Sequence, residues 1–147
     1  MALLVVITSL AAPAMSRFIR GRALDTEARR LISFMHAAQS RAVSEGAPMI
    51  LWVDENNRTY GVTAEVSGQT GDPKAEMLAV DSTLAIAVQN SGGGSPTMFN
   101  HLPAIRFLAD GTVDEDSPTA LKLTDSDGFS RVLTETSLRT GYEVSAQ

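Results

Sequence analysis

The chain has 147 residues, 44% of them hydrophobic and 20% charged, with a formal net charge of −5 and no cysteine. This balance suits one modest folded domain plus an extended element, and it excludes a largely disordered chain. The acidic bulk charge argues against a nucleic-acid binder. The missing cysteine excludes a disulfide framework, a thiol nucleophile and any Cys-based metal site.

Residues 2–15 are almost wholly apolar, interrupted only by Thr8, Ser9 and Pro13. As a helix this run covers about 21 Å, short of the roughly 30 Å hydrocarbon core of a bilayer. A secretory signal peptide is the alternative, but it wants basic residues before the apolar run. Here the arginines follow it, at Arg17, Arg20 and Arg22. Beyond Met15, apolar residues recur at Leu24, Ala28, Leu31, Met35, Ala38 and Ala42, three and four apart, which draws one stripe along a helix. Asp25, Arg29, Arg30, Gln39 and Arg41 occupy the other face, and Asp25–Arg29 and Arg41–Glu45 are spaced to pair across a turn. Gly46 followed by Pro48 is a stop signal. The reading is one helix over residues 2–45, about 65 Å long, with Pro13 expected to kink it or lengthen a turn.

From residue 48 the period becomes strand-like. Residues 48–54 and 59–66, separated by a polar turn, read as a hairpin. Further strands are expected at 77–80, 83–89, 104–109, 119–124, 129–134 and 142–145. Asp110-Gly111 and residues 125–128 (Asp-Ser-Asp-Gly) supply turn signals, and 90–96 is a Gly/Ser loop. The fold class is α+β: a long N-terminal helix (residues 1–46) followed by an antiparallel, β-sandwich-like head (residues 47–147).

Few residues suggest chemistry. No nucleophile motif is present, so no enzyme activity and no cofactor are expected. Asp125 and Asp127 are the only metal candidates, because alternating carboxylates can bind Ca²⁺; the full loop pattern is absent, and a hairpin turn is the preferred reading. Asp110, Asp114 and Asp116 read as a solvated loop face. The two histidines, His36 and His101, are too few for a His-rich site, and Trp52 is assigned to the core.

The order of these elements resembles one family. Residues 4–7 (Leu-Val-Val-Ile), Ala11-Ala12-Pro13 and the stretch from Arg22 to Leu31 resemble the helix of type IV pilin-like pseudopilins. Residues 37–43 followed by Gly46, Pro48 and Val53-Asp54 are similar to the helix end of the subfamily of type II secretion protein H and the FimT minor pilins. Ile105-Arg106-Phe107 with Asp110-Gly111, and Arg139-Thr140-Gly141, resemble that subfamily's strand-turn and C-terminal motifs. The resemblance implies a pilin-like fold and a minor pseudopilin of the type II secretion pseudopilus. It implies a single-pass inner-membrane anchor, a periplasmic head, leader cleavage and N-methylation. The alternative is a FimT-like minor pilin of a type IV pilus or DNA-uptake system. It further implies an assembly helix carrying Leu3, Leu4, Val5, Val6, Ile7, Leu10, Pro13, Met15, Leu24, Leu31 and Met35. Its partners would be other pseudopilins or minor pilins, or secreted cargo. The family's leader Gly, mature Phe and helix Glu have no counterpart, so the start reads as truncated. Some FimT proteins bind DNA through a basic C-terminal patch; here Arg131 and Arg139 stand among Asp127, Glu135 and Glu143, which disfavours nucleic acid.

Overall fold

The computed structural model describes residues 2–65, 71–90 and 96–145, with helix side chains described at Met15, Phe18 and Ile19 and from Gly21 onward. Helix α1 (Ala2–Glu45) carries the chain for 44 residues. Its backbone stays helical through both Pro13 and Gly21. It ends at Gly46, whose φ of +62° is the left-handed conformation a helix terminus needs, and Ala47 N donates to Ala42 O at 3.2 Å.

The strands are β1 (Met49–Asp54), β2 (Thr59–Ala64), β3 (Glu76–Ala79), β4 (Leu84–Gln89), β5 (Met98–Phe99), β6 (Leu102–Phe107), β7 (Ala120–Asp125), β8 (Ser130–Glu135) and β9 (Tyr142–Ser145). They form two antiparallel sheets, ordered β3-β2-β1-β6-β5 and β4-β7-β8-β9. The β1–β2 hairpin is in register from Met49↔Ala64 to Asp54↔Thr59. Met49, Leu51 and Val53 of β1 point into the core, as do Ile105 and Phe107 of β6 and Leu121 and Leu123 of β7. Helix residues Leu24, Ala28, Leu31, Met35, Ala38 and Ala42 enter the same apolar cluster. One core thus joins the second half of the helix to both sheets. Burying a leucine such as Leu31, fully shielded, contributes about 1.5–3 kcal/mol.

Two expectations need correction, and one strand was missed. Trp52 is not in the core: side chains alternate along a strand, so it lies on the face of β1 opposite Leu51 and Val53, half-buried against Gly61, its register partner. Asp110-Gly111 does turn the chain, with Gly111 at φ +89°, but no paired strand follows. A single bridge, Phe107↔Val113, closes it, and Val113 N then donates to Arg139 O at 2.8 Å. Strand β5 was not expected; it reaches β6 through Asn100 and His101, both at positive φ. The Gly/Ser loop expected at 90–96 falls largely outside the described residues.

Candidate assembly surfaces

The helix carries two opposed stripes. Leu24, Leu31 and Met35 face the sheets. Met15, expected among the assembly positions, is 66% exposed, beside Phe18 (67%) and Ile19 (62%). The reason is angular: at about 100° per residue, Met15 lies half a turn round from Leu24. The expected assembly positions Leu3, Leu4, Val5, Val6, Ile7, Leu10 and Pro13 have side chains outside the described residues. Among the described residues, no helix is long and apolar enough to cross a membrane.

Polar contacts hold the helix to the head at defined heights. Asp25 is taken by Arg131 of β8 at 2.8 Å, where pairing with Arg29 was expected. Glu27 is buried, and the Tyr60 hydroxyl of β2 donates to it at 3.2 Å. Burial and the neighbouring Glu27 charge push the Tyr60 hydroxyl pKa up. Arg30 approaches the same carboxylate at 3.4 Å and donates to Ala79 O.

Near the helix end, Arg41 donates to Asp72 at 2.7 Å and to Glu45 at 3.0 Å, as its spacing from Glu45 predicts. Asp72 also accepts from the backbone N–H groups of Ala64 and Lys74. These hydrogen bonds, led by that from Arg41, hold the Asp72 carboxyl well below the usual carboxylate range. Residues 71–75 are thereby strapped to the helix. Between them lies a groove of about 470 Å³ floored by Phe34, Ala38 and Val62.

Gln39 makes the most telling contact. Its side-chain amide donates to the carbonyl of Gly111 and, at 2.7 Å, to that of Thr140. Residues 37–43, Asp110-Gly111 and Arg139-Thr140-Gly141 are far apart in sequence. Here they meet on one amide. The sequence reading missed this role of Gln39, and missed Glu27; both are polar, so an apolar count passes over them, although Glu27 lies three residues from Leu24 and four from Leu31 on the buried face.

Asp125 serves its turn. Its Oδ1 accepts from the N–H groups of Asp127 and Phe129, each at 2.9 Å. Among the described residues, no group of three or more His, Asp or Glu is placed to hold a metal ion. Arg131 is engaged with Asp25, and Arg139 with Glu115 at 3.3 Å. His36 is exposed on the helix.

A long helix whose second half packs on a two-sheet head defines a pilin-like subunit. The solved structures agree. The minor pseudopilin EpsH of the Vibrio cholerae type 2 secretion system is similar with a TM-score of 0.62 at 12% identity, over 85% of this chain and 94% of that one. The type IV minor pilin FimU of Pseudomonas aeruginosa (strain PAO1) is similar with a TM-score of 0.61 at 16% identity, over 88% of this chain and 92% of that one. Likeness at this identity establishes the fold. No curated protein matches. Residues 27–139 match the model of the family described as type II transport protein GspH, and the chain belongs to that family.

Proposed function

We infer that this chain is a minor pseudopilin, a structural subunit of the type II secretion pseudopilus that serves protein export across the outer membrane. One observation carries the reading: the helix has a face free of the head, with Met15, Phe18 and Ile19 each more than 60% exposed. A subunit acting alone has no use for such a face, because exposing contiguous apolar surface favours association. The role is mechanical. Residues 1–46 act as the filament helix, and residues 47–147 as the head that meets neighbouring subunits. The apolar run 2–15 anchors the chain in the inner membrane before assembly, with the head in the periplasm.

The likeness to FimU supports a second reading, a minor pilin of a type IV pilus. A deletion strain separates the two. Loss of protein export into the medium, restored by the full chain, supports the first. Normal export with lost piliation or DNA uptake supports the second.

A further inference from the structure

Side chains along β8 alternate between its two faces. Leu133 points into the core, so Arg131 and Glu135 share its face, towards the helix. Arg131 reaches Asp25 there. Glu135 has no such partner: its Oε1 is shielded from solvent, and no protein group donates to it. A buried polar atom left unpaired costs free energy, and more so when the group is charged. Burial accordingly pushes the Glu135 pKa up, and Arg139 offsets this only in part.

The elements packed around Glu135 supply little counter-charge. On β9 its register partner is Tyr142, whose hydroxyl donates to Pro118 O and whose pKa is raised by burial, so it stays neutral. Glu143 is exposed on the other face of β9, and Lys122 of β7, paired with Val132, lies on the other face of its sheet. Glu135 N donates to Thr119 O at 2.9 Å; Pro118 and Thr119 carry no charge, and Asp116 beyond them is exposed. In the turn after β8, Arg139 is engaged by Glu115 at 3.3 Å. On the helix, Asp25 meets Arg131 and Gln39 meets Thr140, so the line Asp25, Ile32, Gln39, each seven residues on, runs along β8 and that turn. Arg29 and His36 flank this line and are exposed.

We propose that Glu135 is a proton-controlled latch on β9: as the neutral acid it lets β9 and the 136–141 turn lie closed on β8, and as the carboxylate it loosens them. The place of β9 suits this. It is the outermost strand of its sheet, held to β8 by the register from Val132↔Ser145 to Glu135↔Tyr142. The shielded oxygen belongs to the residue opposite its first position, beside the turn that Thr136 N closes on Gly141 O at 2.9 Å. Loosening β9 bares the edge of β8, and a bare edge is open to pairing with another strand. The sign follows from where the penalty acts. Burial opposes the charged form in the folded chain alone. The penalty is absent below the unfolded value of about 4, grows as pH rises through the raised folded value, and is constant above it.

Hydrogen exchange of the full chain in detergent, from about pH 5 to about pH 8, tests this. Each variant is compared with the parent at the same pH, so that the intrinsic pH dependence of exchange cancels. Glu135→Gln should slow exchange in 142–145 severalfold at the upper pH, match the parent at the lower pH, and leave 49–54 of β1 unchanged throughout. His36→Gln should keep the parent's response. A response that persists in Glu135→Gln, or disappears in His36→Gln, overturns the proposal. So does faster exchange in Glu135→Gln at the upper pH, which would show that Arg139 holds the carboxylate as a stabilising pair. Should Glu135→Gln fail to fold, the parent decides alone. The ratio of protection in 142–145 to that in 49–54 should fall as pH rises, and a constant ratio overturns the latch.

Discussion

The side-chain amide of Gln39 donates to the backbone carbonyl of Gly111 and, with its other hydrogen, to that of Thr140. One helical side chain thus pins two loops that also bond to each other, through Val113 N and Arg139 O. Gln39→Leu removes both bonds, the part-buried one to Gly111 and the exposed one to Thr140. The expected loss is about 1–3 kcal/mol, read as a fall in melting temperature of several degrees. Hydrogen exchange should rise in 108–113 and 136–141 together; a rise in only one of them would show that the loops are held independently.

The two helix stripes predict opposite phenotypes. Leu31 is fully buried, so Leu31→Ala should destabilise the full chain in detergent by about 2–5 kcal/mol. Ile19→Ala should leave the melting temperature within a degree or so, because surface changes usually stay within about 0.5 kcal/mol. Export by the complemented deletion strain should nevertheless fall with Ile19→Ala. Equal melting losses in both variants would show that the face at Ile19 is covered by the chain itself.

Asp72 gives a pH signature. Its carboxyl titrates well below the usual range when folded, because Arg41 and two backbone N–H groups hold its charge. The stabilisation is therefore complete above the unfolded value of about 4 and drains away as pH falls below it. Asp72→Ala should be markedly less stable than the parent at pH 7, and that gap should narrow as pH drops from about 5 towards 2. A gap that stays constant across this range would show that the Arg41–Asp72 contact contributes little.

Gly61 is constrained by its neighbours. A Cβ there would stand 2.4 Å from the Trp52 ring and 2.7 Å from the Glu76 carbonyl oxygen. Gly61→Ala should cost about 1–3 kcal/mol, as overpacking does. Trp52→Leu in the same chain should recover part of that loss, and the remainder belongs to the carbonyl contact.

Long-range periodicity was readable in the sequence; reach was not. The helix from residue 2 to 45 followed from six apolar residues in one stripe and a glycine stop, and the structure has it. The β1–β2 hairpin and the turn at Asp125 were likewise marked by local chemistry. Trp52 failed because alternation identifies a strand's two faces without saying which is inward, and an indole is apolar enough to be assigned either way. Strand β5 failed because two residues carry no period; it exists only through its pairing with β6. Gln39, Glu27 and Arg41 find partners 31 to 101 residues away in the chain, besides the local pairs Arg41–Glu45 and Glu27–Arg30, and spacing along a helix predicts only that local kind.

The account stands on the exposed helix face serving contact with sister subunits, and a photoreactive residue placed at Ile19 in secreting cells tests that most directly. Illumination should give adducts between this chain and other pilin-like subunits, identified by mass. Secreting cells that carry the full-length photoreactive chain and yield no adduct to any such subunit would contradict it.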